Sequence, residues 1–150
     1  GFKLRIMALN GAAKSQIAEM FLFMADRAEH IEEVIKNNKN NTIISDRSMI
    51  SGIAYASTLS IDELINLNLI ATDNTLPSHV ILLELTPAEL KCRLSQKEND
   101  SIELRGIDYL INIQNRMKET IKRLNINHIV IDAGLEIKEI EKKIEEFING

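Results

Sequence analysis

The sequence predicts an α/β fold of three layers, a parallel sheet with helices on its faces. Two observations carry this. The strand candidates, 42–45, 80–85 and 128–132, are continuous apolar runs rather than alternating ones, which is how strands buried on both faces read. Between them lie segments of helical periodicity, and parallel strands need crossovers of that kind. Three strands make a narrow sheet for this class. The expectation therefore includes a further, N-terminal strand upstream of residue 1, because Gly1-Phe2-Lys3-Leu4-Arg5 already reads as the inside of an amphipathic helix.

Each element follows from its own signals. A helix over about 2–9 stops at Asn10-Gly11. A second runs from Ser15 to about Asn37, with Ile17, Met20, Phe21, Met24, Ala28, Ile31, Val34 and Ile35 as its apolar stripe. The tract Asn37-Asn38-Lys39-Asn40-Asn41 ends it, and the strand Thr42–Ser45 follows. A short helix comes after Asp46-Arg47. Ser60-Ile61-Asp62-Glu63 is a capping box opening a helix through about Ala71. The run 80–85 is the clearest strand. Thr86-Pro87-Ala88-Glu89 opens the next helix, with Thr as N-cap, Pro in the first position and Glu in the third. Residues 96–104 are polar and mixed, a loop. A long helix covers about 105–124, the strand His128–Asp132 follows, and Gly134 separates it from a C-terminal helix carrying Ile137, Ile140, Ile144, Phe147 and Ile148. The 150 residues read as one domain, without repeat, low-complexity segment or linker.

Composition narrows the function classes. Apolar residues make up 45% and charged residues 27%, as in ordinary globular proteins. A net charge of −4 gives no reason to expect nonspecific nucleic-acid binding. The single cysteine, Cys92, excludes an internal disulfide and suits a reducing cytosol. No apolar run approaches a membrane span. The expectation is a cytoplasmic protein without nucleic-acid or membrane partners.

Two stretches carry candidate chemistry. In α/β sheets ligands bind beyond the carboxyl ends of the strands, and Asp46-Arg47 occupies that position after 42–45. A guanidinium there can grip phosphate through two parallel hydrogen bonds. The carboxylate can orient it or hold water on a metal ion. The alternative is that Asp46 caps the next helix and Arg47 makes a surface ion pair. Phe23 and Arg27 lie one turn apart on the second helix. Phe23 stands about 100° from the centre of the apolar stripe. A ring so placed can stack a nucleobase while the arginine bonds its edge. Packing against a neighbouring helix, with a solvated arginine, is the competing account. "GAAKSQ" (11–16) is not a phosphate loop: Ala13 precedes Lys14, Ala8 stands where the first Gly belongs, and a helix rather than a strand comes before it.

In combination these stretches resemble the thymidylate kinase family, over nearly the whole chain. The matching segments are "LRIMAL" (4–9), "FLFMADRAEHIEEVI" (21–35), "IISDRSMISGIAYA" (43–56), "LPSHVILLELTPAELKCRL" (76–94), "NDSIE" (99–103) and "IVIDA" (129–133), in family order. The resemblance implies a P-loop kinase fold and transfer of the ATP γ-phosphoryl group to dTMP with Mg2+, in an enzyme that is generally a homodimer. It implies catalytic roles for Arg47, on the phosphates, and Asp46, near the magnesium through water. Phe23 would stack on thymine, Arg27 would bond its edge, and Ser51, with Gly52 beside it, would lie along the base. Tyr55 would crowd out a 2′-hydroxyl, and Arg5 would reach the dTMP phosphate. His30 reads as a polar helix residue. The loop 96–104 would be the lid over the donor phosphates. Asp100-Ser101-Ile102-Glu103 lacks the arginine that bacterial members often carry in the second position. The lid cation is then Arg93, Lys97 or Arg105, with the donor base near Asp132-Ala133. Ala56 departs from the glutamine of many members. The family's P-loop lies upstream of the "LRxxxL" stretch, so the expectation is a chain without it, inactive by itself. The rivals are another nucleoside monophosphate kinase or a non-catalytic nucleotide-binding or interaction module.

Overall fold

A computed structural model of the chain describes residues 6–7, 13–94 and 106–150, with Leu94 by its backbone alone. Most of the helix expected over 2–9, the loop 96–104, and Arg5, Lys97 and Arg105 lie outside the described residues. The chain divides into two compact units, Gly1–Leu76 and Pro77–Gly150.

The first unit is helical. Helix α1 covers Gln16–His30. Ser15 caps it, its hydroxyl accepting from the Ala18 amide at 3.0 Å, as the sequence predicts. The chain continues through a π turn, Ile31–Ile35, and a 3-10 turn, Lys36–Asn38. The expected helix to Asn37 therefore changes its winding over the last turns. The polar tract ends it through side chains: the Asn37 amide donates to the carbonyls of Glu32 and Glu33 at 3.2 and 3.0 Å, and that of Asn38 to Val34 at 2.8 Å. These amides serve carbonyls that a helix end leaves open. Helix α2 is Met49–Tyr55 and α3 is Ile61–Ala71. The capping box at α3 is formed from both sides, Ser60 to Glu63 and Glu63 back to Ser60. Helix α3 packs on α1 and on α2. Met20, Met24 and Ile31, Met49, Ile50, Ile53 and Ala54, and Leu64 and Ile65 form the core. The apolar stripe of α1 is only partly spent there, since Ile17, Phe21 and Val34 are exposed.

The second unit is α/β. Strand β1, His79–Glu84, pairs in parallel with β2, Asn127–Asp132, in the register His79↔Asn127 to Glu84↔Asp132. Helices α4, Pro87–Leu94, and α5, Ile107–Arg123, lie between them in the chain, and α6, Ile137–Asn149, follows. Thr86 opens α4 as expected: its hydroxyl accepts from the Glu89 amide at 3.3 Å, and the Glu89 carboxylate accepts from the Thr86 amide at 2.8 Å. Helix α5 packs on β1 and on α4, and α6 packs on β2. Leu82, Leu90, Ile113, Ile121, Ile126 and Ile131 make the core.

Two expectations are corrected. Residues 42–45 have no regular secondary structure and pair with no strand among the described residues, and Ile44 is 90% exposed. A strand is defined by its ladder partner, and an apolar run alone does not supply one. The described sheet thus has two strands instead of three. Nor are the strands buried on both faces: Leu82 and Ile131 are covered, while Leu83 and Val130 are 49% and 40% exposed. Among the described residues both strands are edges, and α5 and α6 each pack on one of them.

Candidate nucleotide site

The first unit gathers most of the candidate residues. Arg47 has a left-handed backbone, φ 66°, costly for a residue with a Cβ. The Ser45 hydroxyl donates to the Arg47 carbonyl at 2.8 Å and braces the turn. Ser48, not Asp46, caps α2, accepting from the Ile50 amide at 3.2 Å. The capping account of Asp46 is therefore overturned, because the chain turns at Arg47 and the next residue reaches the helix N-terminus. Asp46 and Arg47 are both exposed, and among the described residues neither makes an ion pair. The Arg47 guanidinium lies over the Tyr55 ring, its carbon 5.7 Å from the ring centroid, a cation–π contact.

Arg27 is not a solvated arginine. Its Nη1 donates to the Asn68 Oδ1 in α3, and burial lowers its pKa, partly offset by the neighbouring Asp26. Gly52 faces the same guanidinium: a Cβ there would stand 2.7 Å from Arg27 Nη2. The structure thus brings together Arg27 and Gly52, two candidates separated in sequence, through the crossing of α1, α2 and α3. Phe23, one turn before Arg27 on α1, is half-buried. Ser51 donates its hydroxyl to the Ser48 carbonyl at 3.0 Å, within its own helix, and keeps its lone pairs for another donor.

Asn68 was missed in the sequence. It is 1% exposed and sits on the buried face of α3 one turn after Leu64. The signal was there, an amide at a core position of an amphipathic helix.

The second unit holds the remaining candidates. The Arg93 Nη2 donates to the Ala133 carbonyl at 2.6 Å, and the Ala133 amide donates to Glu84 at 2.8 Å. Asp132 is exposed, its Oδ1 accepting from the Gly134 amide at 2.7 Å. The Glu89 carboxylate lies where a Cβ on Gly134 would stand, so a side chain there would displace it. At the end of β1 the Gln114 amide mimics a neighbouring strand: its Oε1 accepts from the Leu85 amide at 2.8 Å and its Nε2 donates to the Leu85 carbonyl at 3.0 Å. Lys118 pairs with Glu84 at 2.5 Å. A cavity of about 470 Å³ opens along Glu84, Leu85, Thr86, Ile111, Val130 and Asp132.

Comparison with known proteins gives the family of the chain. The thymidylate kinase family model matches residues 1–144. The chain is 76% identical over 149 residues to the thymidylate kinase of Aliarcobacter butzleri, covering 99% of this chain and 79% of that protein. It is 48% identical over 150 residues to the thymidylate kinase of Nautilia profundicola, covering 99% and 77%. It is 49% identical over 144 residues to that of Wolinella succinogenes, covering 96% and 76%. A matched stretch that spans the Asp46–Gly52 turn, the Phe23/Arg27 pair and the β1–β2 unit places the chain in the thymidylate kinase family.

Proposed function

We propose that the protein transfers the γ-phosphoryl group of ATP to the 5′-phosphate of dTMP, giving dTDP and ADP, on a P-loop kinase fold with a three-layer sheet. Membership of the family supports the reaction class. The observation that carries the substrate side is the Arg27 guanidinium held against Gly52, one turn from Phe23. Phe23 stacks on the thymine ring. Arg27 donates to its carbonyl edge, and Ser51 lies along the base with Gly52. Tyr55 fills the space a ribose 2′-hydroxyl would need, and Arg5 reaches the acceptor phosphate.

Little covalent work falls to such a protein, because phosphoryl transfer is accelerated by positioning and charge neutralisation. Arg47 grips phosphate oxygens through its planar fork. Mg2+ is commonly held by one or two carboxylates, waters and substrate phosphates; Asp46 is the carboxylate that would hold it, through water. Bound there, the ion would neutralise charge on the phosphates. The loop 96–104 is the lid that keeps water from the transferring group, with Arg93, Lys97 or Arg105 as its cation. Asp132 and Ala133 border the donor base. The chain forms one thymidylate kinase domain of an intact enzyme that works in the cytoplasm, as a homodimer through packed helices. The exposed Ile17, Phe21 and Val34 on the first helix and its continuation support that pairing.

Ranking ADP formation with dTMP, UMP, CMP and AMP tests the proposal. dTMP should lead by at least tenfold in kcat/KM. A leading UMP or CMP would assign the enzyme to another monophosphate, and nucleotide binding without turnover would make it a binding module.

A further inference from the structure

We infer that Asn68 is a positioning residue that sets base selectivity by fixing the pose of the Arg27 guanidinium. The inference rests on the reading of Arg27 as the residue that meets the base edge. Asn68 lies on α3 and is 1% exposed. Its Nδ2 donates to the Leu64 carbonyl at 2.7 Å, and its Oδ1 accepts from Arg27 Nη1. This orientation of the amide is the only one that works. A carbonyl needs a donor and a guanidinium has nothing but donors, so the Leu64 bond aims the oxygen at Arg27.

A second constraint acts on the other nitrogen. The Arg27 Nη2 packs against the Gly52 backbone so closely that a Cβ would meet it at 2.7 Å. A guanidinium is planar and rigid. The hydrogen bond at Nη1 and the nearness of Gly52 to Nη2 therefore restrict the plane and the direction of the remaining N–H groups. Arg27 is half-buried, so its polar contacts form partly out of bulk water, where they are stronger.

The choice of an amide has a consequence. A carboxylate at position 68 would hold the arginine equally well, but it would neutralise it and draw its donors inward. A neutral acceptor leaves the positive charge intact for a ligand carbonyl. A base edge with an oxygen acceptor, as in thymine, satisfies those donors. A base that presents an amino group there, as in cytosine, does not.

The experiment compares Asn68→Leu and Arg27→Ala in the enzyme, with dTMP, dCMP and the base-free acceptor deoxyribose 5-phosphate. Asn68→Leu should raise KM for dTMP about tenfold, the loss typical of one hydrogen bond, and lower the dTMP-over-dCMP ratio of kcat/KM. KM for ATP and binding of deoxyribose 5-phosphate should not move. In the Arg27→Ala background the same change should add nothing. Asn68→Asp, which keeps an acceptor oxygen, should recover part of the dTMP affinity. If Asn68→Leu does not fold, Gly52→Ala disturbs the same guanidinium from the exposed side and should show the same ligand pattern. Equal loss of dTMP and deoxyribose 5-phosphate binding, or an additive loss in the double variant, would overturn the inference. So would an unchanged dTMP-over-dCMP ratio in Asn68→Leu, or in Gly52→Ala if that variant stands in for it. An Arg27→Ala variant with normal KM for dTMP would instead remove the reading of Arg27 itself.

Discussion

The guanidinium carbon of Arg47 lies 5.7 Å from the centroid of the Tyr55 ring, across the length of α2. Under the roles proposed above, one residue serves the phosphate and the other the adjoining sugar, so the contact would link neighbouring parts of one acceptor. It also holds the arginine beside the ring, with the left-handed turn at Arg47 braced by Ser45. Pre-positioning of this kind lowers the ordering cost when substrate arrives.

Arg47→Ala should lower kcat by about a hundredfold, the scale for losing a donor aimed at transition-state charge. Arg47→Lys should recover only part of it, because a point charge lacks the planar fork. Steady-state turnover with saturating dTMP and ATP measures both. Near-normal turnover in the alanine variant would withdraw Arg47 from the reaction.

Tyr55→Ala should narrow the preference for dTMP over its ribose counterpart, and Tyr55→Phe, which keeps the ring, should preserve it. Phe23→Ala should weaken dTMP binding by roughly 1–3 kcal/mol, by analogy with bases stacked on aromatic side chains. Titration calorimetry reads the second, and the kcat/KM ratio of the two nucleotides reads the first. Unchanged discrimination in Tyr55→Ala would leave that ring a packing residue.

The capping box of α3 should tie stability to acid pH. The Glu63 pKa is lowered, first by the Ser60 hydroxyl and then by the Ser60 amide. A lowered carboxyl pKa stabilises the fold above the unfolded value, and the contribution is lost as pH falls through the folded one. Glu63→Gln should therefore flatten the acid limb of Tm against pH. Ser60→Ala should cost about 1 kcal/mol at neutral pH. Thermal melts between pH 3 and pH 7 decide, and an acid limb as steep in Glu63→Gln as in the wild type would contradict the assignment. Thr86 and Glu89 on α4 form the same device, with the same direction and order of causes.

Gln114→Leu should lower stability by about 2 kcal/mol, because both polar groups of Leu85 lose their partner at the end of β1. The urea midpoint should fall with an unchanged slope. A midpoint within error of the wild type would mean that water replaces the amide at no cost.

Much of this molecule is written locally. Ser15, Ser60 with Glu63, and Thr86 with Pro87 and Glu89 start their helices where the sequence says, because a cap needs only a few adjacent residues. The order of elements and the Asp46–Gly52 and Phe23/Arg27 patterns are equally local, and they sufficed to point to the family. Tertiary structure decided what depends on distant partners. Residues 42–45 carry an apolar run yet are unpaired among the described residues, since pairing needs a neighbour that periodicity cannot supply. Local pattern left Asp46 open as a cap of α2, but the left-handed turn at Arg47 gave the cap to Ser48. Above all, Arg27 could be read as a solvated arginine until three helices crossed. The crossing set Asn68 at one nitrogen and Gly52 at the other, and burial then made a surface charge into a held donor.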